Sequence, residues 1–393
     1  MTMAAAMQSR TAESPARSRA SRIARVDIIA DLGEAERVWR ALEEPGHLFT
    51  PYQRFDLLGT WQRSVGEHEG ARPFVVIARD AERTPLALLP LALRRGHGVR
   101  TACFMGGKHT TFNMGLWNAE FAAQAVATDL DALIAPLCNR VDVLALTQQP
   151  KGWHDQQNPF ALLPQQSAIN GCPMLIMEPG GPPASRISNS FRRRLKSKEK
   201  KLQALPGYRY HLATTDADVT RLLDWFFRVK PARMAEQKLP NVFAEPGVEQ
   251  FIRSACLAPR GEGRVIDIHA LECDEEVIAI FAGVADGQRF SMMFNTYTMS
   301  DHARYSPGLI LIRYIIDRYG ERGYRSLDLG IGSDDYKRMF CKNDEDIFDS
   351  FVPLTPRGRL AAMAMSSINR GKRLVKQNQV LFDLARRLRQ TFG

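Results

Sequence analysis

Cysteine is sparse and scattered in this chain: six in 393 residues, the closest pair 17 positions apart. There is no C-x-x-C and no histidine pair at metal-ligand spacing, so neither a zinc site nor any other bound metal is expected. A disulfide framework is not expected in a chain this long. Long hydrophobic runs are missing as well. The longest, Leu86 to Leu93, is broken by Pro90, far short of the ~20 apolar residues a membrane span needs. The opening MTMAAAMQSR has no charged stretch followed by a long apolar one, which leads us to expect a cytoplasmic protein. At 45% hydrophobic and 24% charged, the chain reads as globular and long enough for two domains.

The formal charge of +10 suggests a nucleic-acid partner until the charges are located. Residues 1–25 carry a net +4, residues 356–393 a net +8, and Arg186 to Lys201 a net +7, which leaves the rest acidic. Basicity confined to three segments does not make a DNA-binding face, so no DNA partner is expected. The 186–201 segment has two readings, a solvated charged face or a site for a nucleotide-sugar, tRNA or anionic glycan lipid, with Arg192 and Arg193 as its candidate binding residues.

Along the chain, residues 1–24 are Ala, Ser and Arg and read as a disordered basic tail. Strand and helix patterns then run from 25 to 177, and include a helix over Glu34 to Glu43 and one over Ala122 to Leu137. A Pro/Gly stretch and the basic helix occupy 178–205. In 206–355 the order is clearer. A helix spans Asp216 to Glu236, followed by strands over Val265 to Glu272, Val277 to Ala285 and Arg289 to Tyr297. Asp286-Gly287 marks a tight hairpin between the last two. A helix from Pro307 and a strand over Ser326 to Gly330 complete the plan, and 356–393 forms a basic amphipathic helical tail. This is an α+β order, unlike strict β-α alternation, and the two halves read as diverged copies of one unit.

The stretch with the clearest chemistry is Tyr305-Ser-Pro-Gly-Leu309. Ser306 suits an N-cap, Pro307 the first helical position, and Gly308 lets a ligand approach the backbone. The open N–H groups of a first turn can hold a diphosphate; the plainer reading is a well-capped helix. Downstream lies Asp328-Leu-Gly-Ile-Gly-Ser-Asp-Asp-Tyr-Lys337.

Together, Tyr305-Ser-Pro-Gly308, Asp328…Gly330…Tyr336-Lys337 and the Arg-rich start Phe191-Arg-Arg-Arg-Leu195 resemble the CelD/BcsL family named for cellulose biosynthesis. That family is a branch of the GNAT acetyltransferases, related to Fem-type and holdfast-polysaccharide transferases. The resemblance runs over roughly Ser185 to Pro353, and more loosely into the first half at Pro51 to Trp61. It implies two tandem GNAT-like domains with mixed sheets flanked by helices, and an acyltransferase acting on a sugar or lipid-linked intermediate of a bacterial surface polysaccharide. Acetyl-CoA or another acyl-CoA would bind at Asn295, Tyr297, Arg304, Ser306, Gly308 and Leu309. Asp328, with Asp335 beside it, would take the acceptor's proton, and Tyr336 would serve the leaving thiolate. Lys337 would hold substrate. His302-Ala-Arg-Tyr-Ser-Pro-Gly308 replaces the usual glycine-rich loop, so a Fem-like aminoacyl-tRNA donor stays open, as does a non-catalytic scaffold at the membrane. Residues 372–389 pair an apolar stripe with clustered cations, a pattern that can rest on an anionic membrane at the inner face.

Overall fold

The first half opens with β1 (Arg25–Ile29) and α1 (Leu32–Leu42). Asp31 caps α1 by accepting the Gly33 and Glu34 N–H groups, and Ala35, Trp39 and Leu42 form the buried stripe. The following helix is α2 (Phe55–Trp61), then come β2 (Arg72–Arg79), β3 (Pro85–Gly96) and β4 (Val99–Phe104). The helix expected over Ala122 to Leu137 is two, α3 (Ala119–Gln124) and α4 (Ala127–Ile134). Extended backbone at Ala125 and Val126 parts them. Next are β5 (Val143–Pro150) and β6 (Cys172–Ile176). The basic helix is α5 (Asn189–Leu202), capped by Ser188.

The second half continues with β7 (Arg209–Leu212), α6 (Asp216–Glu236) and α7 (Val248–Leu257). Thr215 accepts the Asp218 N–H, which fixes the start of α6 where the periodicity placed it. Strands β8 (Asp267–Glu272), β9 (Val277–Ala285) and β10 (Arg289–Tyr297) follow. Gly287 at φ 95 turns the β9–β10 hairpin, while the Asp286 carboxylate accepts the Gln288 and Arg289 N–H groups. The chain then forms α8 (Pro307–Glu321), β11 (Ser326–Asp328), α9 (Asp335–Phe340), β12 (Asn343–Glu345), β13 (Ile347–Pro353) and α10 (Pro356–Gln377). This computed structural model describes residues 19–377 apart from positions 262 and 333. Positions 1–18 of the expected basic tail and 378–389 of the expected amphipathic helix lie outside the described residues.

Residues 19–24 depart from the expected disorder. Ser21 and the Arg22 N–H both bond Asp129, and the Arg22 guanidinium lies over the Phe121 ring. These contacts fix a polar segment that has little apolar surface of its own.

Two mixed sheets result. The first runs β1-β2-β3-β4-β5-β13, with short strands Leu116–Trp117 on β3 and Gln166–Ser167 beyond β13. The second runs β7-β8-β9-β10-β11-β6-β12. Each has one parallel contact, β4 with β5 and β10 with β11. The halves expected at 25–177 and 206–355 are therefore not sealed from one another. β6 leaves the first half to pair with β11, and β13 returns to pair with β5. Each sheet needs a strand on the far side of its parallel contact, and the other half supplies it. Helices α6 and α7 also contribute Phe226, Phe251 and Ile252 to the same apolar cluster as Trp39, Trp61 and Leu89, so the two units share a core. No helix among the described residues is long and apolar enough to cross a membrane.

Candidate active site

The second sheet opens at its centre. β10 and β11 pair only at Arg289–Ser326, Phe290–Leu327 and Ser291–Asp328. Beyond that point β10 continues against β9 alone, and the register shifts between Ala282 and Gly283, so that one extra residue, Met293, bulges from β10. A bulge bends and twists the strand that carries it, which here swings β10 away from β11. The Thr298 N–H bonds Ile278. Strand alternation then aims the main-chain groups of Thr296 at β9, and those of Asn295 and Tyr297 at the gap.

The start of α8 faces that gap. A cleft of about 270 Å³ lies between them, walled by Ile280, Phe281, Tyr297, Leu309 and Ile312, with Asn295, Ser306, Gly308 and Tyr336 as its polar features. Of the residues singled out from sequence, Asn295, Tyr297, Ser306, Gly308, Leu309 and Tyr336 thus meet in one place. Ser306 takes the N-cap position expected of it, but without the side-chain cap. It sits at φ 57, ψ 51, its hydroxyl caps no helix N–H, and its carbonyl accepts the Leu309 and Ile310 N–H groups. The short turn Asp301–Tyr305 delivers the chain through a left-handed step that points the hydroxyl outward, where Lys198 of α5 donates to it at 2.7 Å. Among the described residues, no acceptor takes the Gly308 N–H.

Tyr336 is held against the gap by Asn295, whose Nδ2 donates to the phenol oxygen at 3.3 Å. Burial pushes the Tyr336 phenol up to about 12, partly offset by that bond. Its O–H remains available as a donor. Arg233 lies 3.5 Å over the Tyr297 ring, and Arg304 is exposed outside the cleft, stacked on Tyr305.

The other candidates lie elsewhere. Asp328 is fully buried at the root of the gap, where it bonds the Arg289 Nε at 2.9 Å, the Ser291 hydroxyl, the Gly330 N–H and the Cys172 thiol. Lys337 is buried and ties down the turn after β11 through the Gly330 and Ile331 carbonyls. Asp335 is exposed at the start of α9. Arg192 forms a two-pronged ion pair with Asp317 of α8, and Arg193 faces solvent.

A second cavity, of about 550 Å³, opens where the two halves meet, and its wall includes Thr111, Gln148, Met293, Ile331, Asp349 and Asn369. Tyr52 and Thr111 of the first half both donate to the Met292 carbonyl at the root of the gap, and Asn295 donates to the Met292 sulfur. Met292 therefore stands between cleft and cavity. Sequence reasoning missed the cavity residues Thr111, Gln148, Met293, Ile331, Asp349 and Asn369, which come from six separated segments. The nearest signal was Asp349, a carboxylate in the apolar run Ile347-Phe348-Asp349-Ser350-Phe351. Among the described residues no group of three or more His, Cys, Asp or Glu is placed to hold a metal ion.

Residues 189–338 match the family model of the acetyltransferase (GNAT) domain. No curated protein matches the chain. Among solved structures, it is similar to a conserved protein of unknown function from Bacteroides thetaiotaomicron, at 11% identity and TM-score 0.54, over 84% of this chain and 100% of that one. FemX is similar at 7% identity and TM-score 0.54, over 83% and 98%. The C-terminal domain of a putative lysylphosphatidylglycerol synthetase from Agrobacterium fabrum is similar at 11% identity and TM-score 0.50, over 86% and 95%. At such identities these neighbours speak for the fold. The family match falls on the segment that builds the split sheet and its cleft, and GNAT domains take their acyl groups from acyl-CoA donors: the similarity of residues 189–338 to a GNAT-type acetyltransferase domain supports an acyltransferase.

Proposed function

We propose that the protein transfers an acyl group from acetyl-CoA or a related acyl-CoA to a sugar or lipid-linked intermediate of a bacterial surface polysaccharide. The observation that carries the donor half of this reading is the cleft beside β10. Its apolar walls suit an acyl-pantetheine arm, and its open strand amides, the Gly308 N–H and Lys198 suit carbonyl and phosphate oxygens. Bound there, an acyl-CoA supplies an activated thioester. The Asn295 and Tyr297 amides would hold its carbonyl oxygen, and the Tyr336 O–H would protonate the leaving sulfur. Lys198 and the Gly308 amide would anchor phosphate at the mouth.

The acceptor would approach from the cavity, on the other side of Met292. The threonine, glutamine and asparagine side chains there match a hydroxyl-rich molecule better than a hydrocarbon one. Support for a lipid-linked acceptor comes from α10. Leu360, Met363, Ile368 and Leu374 are 55–73% exposed along one face, while the helix carries six Lys or Arg and no Asp or Glu. The opposite face seats Gly358 on the Asp142 carbonyl, so closely that a Cβ would collide with it, and places Asn369 at the cavity. Resting that apolar face on an anionic bilayer would bring the cavity to the membrane surface.

Isothermal calorimetry with an acyl-CoA panel tests the donor assignment. Micromolar binding of at least one acyl-CoA is expected, and a folded sample that binds none overturns it. The second reading, aminoacyl transfer from tRNA, draws on the exposed Arg193, Arg194, Lys196, Lys200 and Lys201 of α5. It requires tight tRNA binding that weakens steeply with salt.

A further inference from the structure

We propose that the cavity between the two halves receives a primary amine, and that Asp349 is the group that binds it as an ammonium and takes its proton. This rests on the acyl-transfer reading and narrows it to N-acylation.

Asp349 lies on β13, the strand returned to the first sheet, at the point where the register with β5 shifts between Phe348 and Ser350. It is 2% exposed, yet it has no cation partner among the described residues. One carboxylate oxygen accepts the Gln148 N–H at 2.9 Å and the other the Asn369 amide at 3.0 Å. A buried carboxylate held by two neutral donors is costly unless a positive charge arrives to pair with it. The neighbouring backbone is irregular as well. Gln148 takes φ 60, uncommon for a side chain of its size, and its own amide reaches the Thr110 carbonyl at 3.2 Å.

The charged groups around it leave this role open. Across the cavity Lys108 pairs with Glu245 at 2.5 Å. His109 accepts the Trp61 indole N–H on Nδ1 at 3.1 Å, so its neutral ring carries the proton on Nε2 and can donate but not accept there. Burial lowers the His109 value, which keeps the ring neutral. On its other side Asp349 also lines a groove with Arg359 and Arg370, and neither arginine forms an ion pair with it. Burial raises the Asp349 carboxyl above its ordinary range, with the two hydrogen bonds opposing the shift.

The ammonium gives one proton to Asp349, and the freed nitrogen lone pair bonds to the thioester carbonyl carbon. The carbon–sulfur bond breaks, the sulfur takes the Tyr336 proton, and the second proton shed by nitrogen restores the phenol. Asp349 then releases its proton to solvent. An amide, a free thiol and one proton are the products.

The test uses the full chain, glucosamine and its neutral counterpart glucose. Calorimetry should show glucosamine binding at least ~10-fold tighter than glucose, and Asp349→Asn should abolish that preference while acetyl-CoA affinity stays unchanged. With both substrates present, thiol release in Asp349→Asn should fall ~100-fold in kcat. The rise in rate with pH that follows Asp349 ionisation should also disappear. Equal binding of the two sugars by the wild-type chain, which requires no variant to fold, overturns the proposal, as does a preference retained in Asp349→Asn. Failure of acetyl-CoA to bind would instead strike the donor cleft, and would leave a glucosamine preference standing.

Discussion

Asp328→Asn separates structural from chemical duty at the residue that sequence reasoning favoured as a base. The substitution keeps volume, so no cavity forms, but it removes the charge facing the Arg289 guanidinium in a site with neither side chain more than 5% exposed. Breaking a buried ion pair costs about 3–5 kcal/mol. The low end applies here, because Arg289 keeps Glu345 at 2.6 Å and lies over the Trp153 and Phe112 rings. For 393 residues, an unfolding entropy of about 2.1 cal/mol/K per residue converts a loss of about 3 kcal/mol into a Tm drop of about 4 °C. The conversion treats the halves as unfolding together, as the exchange of β6 and β13 requires. Circular dichroism melts give the Tm, and thiol release from acetyl-CoA gives kcat per folded molecule. The expected variant melts early but retains substantial turnover. A variant with wild-type Tm and turnover reduced ~100-fold would refute this reasoning and make Asp328 the base.

Three further outcomes test the site. Tyr336→Phe should lower kcat ~100-fold with acyl-CoA affinity unchanged. In the wild type, the alkaline limb assigned to this phenol should lie near pH 12, because burial keeps it protonated up to there; loss of acyl-CoA binding instead would mark Tyr336 as a wall of the cleft. At Gly308 a Cβ would meet Tyr297 at 3.5 Å, an ordinary contact, so Gly308→Ala should be tolerated. The further methyls of Gly308→Val enter the cleft and should raise the acyl-CoA KM by roughly 10-fold or more; unchanged KM in steady-state assays would move the donor elsewhere. Flotation with phosphatidylglycerol vesicles should recover the full chain, phosphatidylcholine vesicles should not, and Leu360→Glu with Leu374→Glu should abolish recovery. Equal recovery from both lipids would remove α10 as an anionic-membrane contact.

What the sequence disclosed was local. The helical spacing over Asp216 to Glu236 matches α6, and Asp286-Gly287 places the β9–β10 turn. Part of the lining of the cleft beside β10 was also legible, because Asn295, Tyr297, Ser306, Gly308 and Leu309 fall on two short segments with Tyr336 not far beyond, whereas Ile280, Phe281 and Ile312 carry no such mark. What escaped was either non-local or set by an opposing element. Nothing in Cys172 to Ile176 announces a partner 150 residues away, since strand pairing is decided by the whole sheet. Ser306 carries every mark of an N-cap, yet its geometry is set by the preceding turn and by Lys198. Lys337 and Arg192 look like surface cations in sequence; the Gly330 carbonyl and Asp317 decide otherwise.

The same device occurs in both sheets, a single parallel contact beyond which the strands part, and the difference between them supports placing the proposed donor in the second half. In the second sheet the gap is crossed by the light contact between Asn295 and Tyr336, which leaves the strand amides open. In the first, β4 and β5 pair last at Cys103–Ala145, and the chain after β4 then turns back across the opening. Gln148 donates to the Thr110 carbonyl, Asn113 to the Thr147 carbonyl, and the Asn113 N–H to the Gln148 carbonyl. These bonds fill the opening with polypeptide, and the Gln148 N–H, which a thioester oxygen would need, is taken by Asp349. A gap so filled cannot admit a pantetheine arm, but its polar lining still faces Met293 and Ile331 across the cavity. The first half would thereby offer a floor to the proposed acceptor, and β13, crossing from the far end of the chain, would add Asp349 as its carboxylate.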